Sequence, residues 1–393
     1  MFPTQFTGAS FTWEQVKLGD VAEITPGGTS SKNISDYWYP KEIPWLSSGE
    51  INKEIIFSTN DMISKKGFNN SSAKWINQNS VLIALAGQGK TRGKVAINRI
   101  PLTTNQSIAG IDPSDEIYYK FLYHQLTKDY LKLRLISSGD GSRGGLNKKL
   151  LNDYAVNLSG IDEQHKIGVL LSHIDNTLQL HEDHLQFLHS FKSFLLQKMF
   201  FDNDIPPLLR FNKFTEKWNQ CKLNDHTIVT MGQSPNSKNY TNNQTGKILV
   251  QGNADLYKNK ILKRVFTTEV TKTAVKNDIL ISVRAPVGDI ARNQYESVVI
   301  GRGIASIKGN DFLYYQLEKM KNNGFWNKYI AGSTFESITG KDLKNTKIYT
   351  TNSDEERKIG NIFSSLTKII QLQEHKIDSL KKLKQFLLQN MFI

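Results

Sequence analysis

The sequence predicts an α+β protein: two mixed α/β domains, related by internal pseudo-symmetry and separated by two long helices that form an antiparallel coiled coil. Three observations support this prediction. Residues 162–200 recur without a gap as residues 354–392, and each copy has the spacing of a coiled-coil strand. The segments before the two copies also match, more faintly. The chain is therefore a tandem duplication, and its function should need two similar parts at a fixed distance.

The repeated segment is the strongest signal in the chain. Of its 39 aligned positions, 17 are identical, whereas unrelated segments would share only a few. The identities include the acidic start, where Asp162 matches Asp354, and the run Phe194–Gln197, which recurs as Phe386–Gln389. A copy this long without a gap predicts one structural element used twice.

Both copies place their apolar residues at alternating steps of four and three, the a and d positions of a heptad. The predicted interface consists of Ile167, Leu171, Ile174, Leu178, Leu185, Leu188 and Leu195, with Ile359, Phe363, Leu366, Ile370, Ile377, Leu380 and Leu387. We call these positions the seam. Polar residues interrupt it at matching places, His181/Gln373 and Lys192/Lys384, which favours pairing of the two helices with each other. We expect antiparallel pairing because one chain must bring both helices round. The alternative is an ordinary pair of core helices, although these rarely hold so long a heptad.

The segments before each helix also match. Trp13–Asp20 resembles Trp218–Asp225, and Phe121–Leu126 resembles Phe312–Leu317. The predicted boundaries are a first domain at 1–158, a first helix at 159–201, a linker at 202–213, a second domain at 214–350 and a second helix at 351–393. The stretches near 30–80 and 235–278 show almost no similarity. Matching scaffolds with different inserts suggest two sites of one kind that read two different targets.

Local patterns indicate mixed secondary structure within each domain. Apolar runs bounded by Gly, Pro and Asn predict short strands, and a helical period predicts amphipathic helices. The predicted strands are Val81–Leu85, Val95–Ile97, Ile279–Val283 and Val298–Ile300, and the predicted helices are Ile117–Leu135 and Asp311–Lys321.

Composition excludes several classes of protein. No run approaches 18 apolar residues, so no membrane span is expected. The N-terminus lacks a basic and then apolar leader, so we expect a cytoplasmic protein. Cys221 is the only cysteine, which excludes an internal disulfide and a metal site built from cysteines.

The net charge of +13 is unevenly distributed. Residues 1–205 hold 21 basic and 21 acidic side chains, whereas residues 206–393 hold 29 and 16. In the first half, Met62–Ile111 contains no Asp or Glu but seven Lys or Arg, interleaved with Asn, Gln, Ser and Thr. Such a stretch suits contact with phosphates together with amides that read bases. A solvated basic surface without function is the alternative.

Catalytic motifs are absent or incomplete. Ala84–Thr91 resembles a phosphate-binding loop, but Ala84 stands where the first glycine should be and the following Lys94–Ile97 predicts a strand instead of a helix. His181-Glu182-Asp183-His184 does not have the spacing of a zinc site, so we assign no metal ligands. Neither a methyl-donor site nor the Pro-Asp dipeptide of a common nuclease motif occurs. We therefore assign no catalytic residue.

The chain resembles the specificity subunit of type I restriction–modification systems over nearly its whole length. The resemblance rests on the two-fold alternation of domain and helix and on Gly-Ser-Thr-Phe-Glu-Ser-Ile at 332–338. It also rests on the Asp-Glu pairs at 162 and 354 and on the endings Leu-Leu-Gln-Lys-Met-Phe (195–200) and Leu-Leu-Gln-Asn-Met-Phe (387–392). The loop at 139–146 departs from the Gly-Ser-Thr-Phe pattern and carries Arg143.

The resemblance implies a mechanism. Each target-recognition domain would read one half of a bipartite target in double-stranded DNA, and the helices would set the half-site spacing and dock two methyltransferase subunits. Restriction/translocase subunits would complete the assembly. No cofactor is expected in this chain, since S-adenosylmethionine, ATP and Mg²⁺ would be used by the partner subunits.

For DNA contact we select basic residues of the two variable regions, without separating phosphate from base contacts. They are Lys65, Lys66, Lys74, Lys90, Arg92, Arg143, Lys260, Arg264, Arg284 and Arg302. Weaker candidates follow predicted strands at matching places: Ser47, Ser48 and Glu50, with Gln251, Asn253 and Asp255. Two rival interpretations are an autonomous DNA-binding protein such as a repressor and an enzyme with unrecognised catalytic residues.

Overall fold

The computed structural model describes residues 13–87, 90–136, 145–202, 205–329 and 337–392. It divides into two compact units, which are considered separately below. The first unit contains Met1–Glu182 with Lys376–Ile393, and the second contains Asp183–His375. Neither unit is simply one half of the duplicated sequence, because each includes the last part of the other repeat's long helix.

The helices are α1 (Leu18–Val21), α2 (Lys65–Asn69), α3 (Tyr119–Lys128), α4 (Tyr130–Leu135), α5 (Lys148–Asn152), α6 (Ile161–Met199), α7 (Leu223–His226), α8 (Asp311–Asn322), α9 (Gly340–Lys344) and α10 (Ser353–Met391). Short 3-10 helices cover Ser35–Tyr37, Ser48–Lys53, Ser237–Asn239, Asn253–Asp255 and Phe325–Tyr329. None of the helices that the structure describes combines the length and the apolar character that crossing a membrane requires.

The strands of the first unit are β1 (Glu14–Lys17), β2 (Ala22–Pro26), β3 (Ile43–Leu46), β4 (Ile55–Ile56), β5 (Asp61–Ile63), β6 (Val81–Ala84), β7 (Val95–Asn98), β8 (Thr103–Thr104), β9 (Ile108–Pro113) and β10 (Ala155–Leu158). Those of the second unit are β11 (Asn219–Lys222), β12 (Val229–Met231), β13 (Tyr240–Thr241), β14 (Lys247–Val250), β15 (Leu256–Tyr257), β16 (Lys260–Ile261), β17 (Val265–Thr267), β18 (Thr273–Val275), β19 (Ile279–Ser282), β20 (Ile290–Arg292), β21 (Ser297–Ile300), β22 (Ile304–Ile307) and β23 (Lys347–Thr350).

In the first unit a five-stranded sheet, β2-β9-β6-β7-β4, is buried on both faces. Val81 and Ile83 of β6 pack into one apolar cluster with α3 and the start of α6, and Leu82 and Ala84 pack into a second cluster. Burial on both faces explains why β6 is a continuous apolar run without polar alternation. A smaller sheet, β5-β3-β8, lies in the inserted region, and β1 pairs with β10.

The second unit repeats this plan with different strand counts. Its sheet β12-β22-β19-β20 also places alternate residues of β19 in two clusters, with Ile279 and Ile281 in one and Leu280 in the other. The inserted region forms a five-stranded sheet, β13-β17-β14-β21-β18, with the hairpin β15-β16 beside it. The predicted strands at 81, 95, 279 and 298 are all present. The predicted helix 117–135 is divided by a turn at Asp129.

An aromatic residue near the end of a long helix closes each core. In the first unit Phe392 lies 5.0 Å from Phe121 and 6.4 Å from Trp13, measured between ring centroids. In the second unit Phe200 lies 5.1 Å from Phe312 and 6.3 Å from Trp218. The two sets correspond through the sequence repeat, so each domain is completed by the end of the helix that belongs to the other repeat.

The predicted antiparallel pairing of α6 and α10 is confirmed within each unit. In the first unit Lys384 contacts Asp175 (2.5 Å) and Lys381 contacts Glu182 (2.6 Å), so residue numbers fall along α10 as they rise along α6. In the second unit Leu188 of α6 shares an apolar cluster with Leu366 and Ile370 of α10. The seam is buried or half-buried throughout.

The seam differs from the prediction at its ends. Ile167 and Leu171 pack into the first domain core, and Ile359 and Phe363 pack into the second. Leu387 packs against the first core as well. Heptad spacing identifies which face of a helix is buried but not which surface covers it, so the pattern predicted a helix partner where a domain lies.

Candidate nucleic-acid interface

Four loops of the second unit meet at one end of its two larger sheets. β14 and β21 run parallel and both end there, so the Gly301 amide donates to the Val250 carbonyl (2.8 Å). The loops after β12 and β19 join them: Gly232 donates to the Ile304 carbonyl and Val283 to the Gly303 carbonyl, both at 2.9 Å. We call the side chains of these loops the second loop edge, namely Gln233, Ser234, Gln251, Arg284 and Arg302.

The first unit builds a corresponding end. β3 and β8 run parallel, and the Asn105 amide after β8 donates to the Leu46 carbonyl (3.0 Å). The loops after β2 and β6 are attached in the same way: the Gly27 amide donates to the Ile108 carbonyl (2.9 Å), and the Leu85 amide donates to the Ser107 carbonyl (2.8 Å). The first loop edge consists of Thr29, Ser47, Ala86 and Gln106, which are all exposed or half-buried.

Backbone-to-backbone packing keeps these loops close together. A Cβ added to Gly303 would collide with the Gln251 carbonyl oxygen, and one added to Gly27 would collide with Thr104 and Asn105. Glycine is required where main chains approach this closely. The loop edges are therefore held by the sheets beneath them.

Among the predicted DNA-binding residues, the structure brings Arg284 and Arg302 together on the second loop edge. Both side chains are exposed, and no hydrogen bond or ion pair to either guanidinium is found in the described part of the chain. Two uncompensated guanidinium groups at one sheet end create a strong positive potential. Such a potential attracts phosphate or the acceptor edge of a base.

Other predicted residues lie around the first loop edge. Lys90 and Arg92 belong to the loop that follows Ala86, whereas Arg143 is outside the described residues. Lys65 and Lys66 begin α2 in the inserted region and contact Glu42 (3.7 Å) and Asp36 (2.7 Å). These pairs are largely exposed, and exposed ion pairs contribute little to stability. Both ammonium groups can therefore leave these carboxylates and bind another anion. Lys74 is also exposed, in the loop after α2.

Two predicted residues are placed differently. Lys260 lies in the hairpin β15-β16, whose Asn259 carbonyl accepts from the Arg292 amide. Arg292 pairs with Ile279 at the start of β19, so this hairpin lies at the sheet end opposite Arg284. Arg264 donates to the Ala254 carbonyl (2.9 Å) and lies 3.6 Å from the Asp255 carboxylate, so part of its guanidinium is bound within the chain although the side chain is about half exposed.

Two of the weaker candidates have structural roles. The buried Glu50 carboxylate accepts from the Ser47 and Asn60 amides and contacts Lys53 (2.7 Å). The buried Asp255 carboxylate accepts from the Gln251 amide (2.7 Å). Each carboxylate, through these contacts, fixes the turn that follows a strand of a parallel pair.

Sequence reasoning missed Thr29, Gln106 and Gln233. The offset between repeats is 198 at β6 and β19 but 196 at Gln106 and Arg302, because the segment between β6 and β9 is two residues longer than the one between β19 and β22. Matching these positions requires the strand pairing, which cannot be read from the sequence.

Exposed apolar side chains form a further surface on the helices, beside the seam. Their heptad positions are c and g, and two antiparallel helices present their g positions on the same side of the pair. The first apolar patch, in the first unit, is Leu170, Leu180, Leu383 and Phe386. The second, in the second unit, is Phe187, Phe191, Phe194, Ile369 and Leu372. Clustered exposed apolar residues of this kind mark interaction sites.

A duplicated α/β domain that presents a polar and basic loop edge, carried by paired antiparallel helices, defines a tandem recognition protein. The chain belongs to the type I restriction modification DNA specificity family, whose domain matches residues 11–189 and 215–382. It is a specificity subunit with two target-recognition domains, as the resemblance in the sequence indicated.

The chain is also similar to individual relatives and, in its fold, to a solved structure. The chain is 26% identical to the putative type I restriction enzyme MjaX specificity subunit of Methanocaldococcus jannaschii, over 95% of this chain and 91% of the relative. It is 29% identical to the EcoR124I/EcoR124II specificity subunit of Escherichia coli over 40% of each chain. Its fold resembles the crystal structure of the S subunit from M. genitalium, with a TM-score of 0.67, 16% identity, and coverage of 100% of this chain and 99% of that chain.

Proposed function

We propose that each target-recognition domain reads one half of a bipartite DNA target through its loop edge. The observation that carries this proposal is that both loop edges are built on equivalent strands with different side chains: both carry amide and hydroxyl groups, but only the second adds two guanidinium groups, those of Arg284 and Arg302. Equivalent scaffolds with different chemistry suit two readers of different sequences. The family membership does not favour an autonomous repressor-like protein.

The paired helices set the distance between the half-sites. Each helix contains 39 residues, about 58 Å at ~1.5 Å per residue. A heptad added to both helices, after Glu182 in α6 and after His375 in α10, keeps the seam in phase. The addition lengthens each helix by about 10 Å, which is close to three base pairs at ~3.4 Å each.

This change provides a test. The heptad variant should methylate sites whose spacer is about three base pairs longer, with both half-site sequences unchanged. Modified adenines would be mapped by sequencing DNA from cells that express the variant with its methyltransferase. A heptad added to α6 alone is the control and should destroy pairing. An unchanged spacer in the double insertion would contradict the proposal.

The two apolar patches dock two methyltransferase subunits. Each patch has the width of two helices, so a pair of partner helices can pack on it and extend the coiled coil into a bundle. Phe187 and Phe191 stack 6.0 Å apart while largely exposed, which is costly in water and relieved by a partner. One patch in each unit agrees with two copies of the partner.

Single charges should remove one partner at a time. We expect Phe191→Asp and Leu383→Asp each to lower the number of bound methyltransferase subunits from two to one, and the double variant to bind none. Light scattering of the purified complex gives the stoichiometry. Gln186→Asp, on an exposed position outside the patches, is the matched control. Retention of both subunits by the double variant would rule out this surface.

Catalysis belongs to the partners. The methyltransferase subunits would bind S-adenosylmethionine and modify adenine, and restriction/translocase subunits would use ATP and Mg²⁺. The purified chain should therefore transfer no methyl group from a labelled donor, and transfer should begin when the methyltransferase is added. Methyl transfer by the chain alone would favour the rival interpretation of an unrecognised enzyme.

A further inference from the structure

The strands and turns at the loop edge define two side-chain positions in each domain, and these positions are equivalent between the domains. In the second unit β19 and β22 pair Ser282 with Ile304, and the bond from Val283 to Gly303 extends the ladder by one residue. Arg302 precedes Gly303 as the second residue of a turn in which the Ile304 amide donates to the Gly301 carbonyl (3.0 Å), and Arg284 follows Val283 on the other strand.

The first unit continues its ladder in the same way. β6 and β9 pair Ala84 with Ile108, and the bond from Leu85 to Ser107 adds one residue. Gln106 is likewise the second residue of a turn, in which the Ile108 amide donates to the Asn105 carbonyl (3.1 Å), and Ala86 follows Leu85 on the other strand. The equivalent pairs, at the tip of each loop edge, are thus Ala86/Gln106 and Arg284/Arg302.

At this position the main chain is fixed while the side chain is free to bind a ligand. Arg302 lies between two buried glycines, and its amide donates to the Ser234 hydroxyl oxygen (3.1 Å). Its guanidinium is exposed and has no partner among the described residues. A residue that recognises a base benefits from a rigid main chain and a side-chain donor group with no other partner, because little conformational entropy is then lost on binding.

Gln106 is positioned by a neighbour on the same loop edge. The Thr29 hydroxyl donates to the Gln106 amide oxygen, which orients the amide and leaves its NH₂ group and a second lone pair available. Ser234 and Thr29 occupy corresponding loops, after β12 and β2. Each domain therefore uses a hydroxyl of one loop to hold the reading loop beside it.

The chemistry of the two side chains differs in a way that selects bases. Arginine donates two parallel hydrogen bonds to O6 and N7 of guanine, whereas glutamine pairs with N6 and N7 of adenine in the major groove. We propose that Arg302 reads a guanine in one half-site and that Gln106 reads an adenine in the other. This assignment rests on the proposed function, since it names the bases that the two loop edges recognise.

Exchange of the two residue types tests the assignment. Wild-type and variant chains, each in complex with the methyltransferase, would methylate a library of randomised DNA that is then sequenced. Arg302→Gln should change one position of one half-site from guanine toward adenine and leave the other half-site unchanged. Gln106→Arg should produce the reverse change in the other half-site. Discrimination between the two bases should change by about tenfold to a hundredfold.

Further variants separate a base contact from a phosphate contact. Arg302→Lys keeps the charge but loses the two parallel donors, so discrimination at that position should fall if the residue reads a base. Gln78→Arg and Lys247→Ala are matched controls, because both residues are exposed at the opposite ends of β6 and β14. Their targets should remain those of the wild type.

Several outcomes would overturn the assignment. Equal loss of methylation at all sequences in Arg302→Gln would indicate a phosphate contact, and an unchanged target would indicate no contact. A wild-type complex without any bipartite target would refute the proposed function and this assignment together. A bipartite wild-type target that the variants leave intact would refute the assignment alone.

Discussion

The two units pair the same two repeated charges with different partners. Lys384 and Glu182 of the first unit pair across the helices, with Asp175 of α6 and Lys381 of α10. Their counterparts in the second unit pair with the domain instead: Lys192 contacts Glu318 of α8 (2.8 Å), and Glu374 contacts Lys258 of the hairpin β15-β16 (3.1 Å).

This difference shows which part of the interaction the duplication has kept. A buried ammonium must be neutralised, but any nearby carboxylate can do so. In the first unit that carboxylate belongs to the partner helix, whereas in the second unit it belongs to the recognition domain. In the first unit the ion pairs therefore fix one helix against the other. In the second unit they fix the helices to the recognition domain, where Lys192 also lies 5.1 Å from the ring of Tyr315.

The largest effect should come from the feature that the two units share. Phe200→Ala and Phe392→Ala each empty a buried aromatic site and should destabilise their own unit by about 3–5 kcal/mol. Hydrogen exchange resolved by peptide would report each unit separately. Phe194→Ala, at a half-exposed position, should cost far less. Equal loosening of both units by either variant would contradict separate closure of the two cores.

The seam lysine of the second unit should have the next largest effect. Lys192→Met leaves the Glu318 carboxylate buried without its counter-ion and should cost about 3 kcal/mol. Replacing both residues, as Lys192→Met with Glu318→Leu, removes the uncompensated charge and should restore most of that stability. Thermal unfolding of the second unit measures both, and a double variant no better than the single one would contradict the role of the ion pair.

A pH effect should distinguish the first unit, because it has His124 where the second has Tyr315. Burial, together with the neighbouring charges of Lys384 and Lys120, lowers the pKa of His124 to about 3. The unfolded chain takes up a proton below about pH 6.5, whereas the folded one does not, so stability falls as the pH decreases from 6.5 toward 3. The loss should reach about 2 kcal/mol at pH 5.

Denaturant unfolding at pH 7 and pH 5 would measure this loss, with His124→Gln as the variant that cannot titrate. Burial raises the pKa of Asp175, which faces His124, so protonation of that carboxyl works in the opposite direction at lower pH. The wild type should lose more stability than His124→Gln over this range. Identical losses would show that His124 is not the titrating group.

The smallest effect should come from the exposed ion pair between Glu182 and Lys381. Glu182→Gln removes a pair with Lys381 in which both side chains are about half exposed, so it should cost less than about 1 kcal/mol. Added salt should mask the difference. A cost above that of Lys192→Met would reverse the ranking of the two kinds of ion pair.

Periodicity and repetition predicted much of this architecture. The heptad in 162–200 and 354–392 established two paired helices, and the apolar runs at 81 and 279 established buried strands, because both patterns are local. The partners of the seam ends could not be predicted, since Ile167 and Ile359 look the same whether a helix or a domain covers them. Gln106 was missed because its match to Arg302 depends on pairing with residues about 20 positions away.

Closure of the first core by Phe392 has a consequence for synthesis on the ribosome. The last strand of that domain ends at Leu158, yet its core stays open until residue 392 emerges, 234 residues later. At ~5–20 residues per second this delay lasts roughly 10–50 s, during which the nascent first domain exposes Trp13 and Phe121 to chaperones or to other chains.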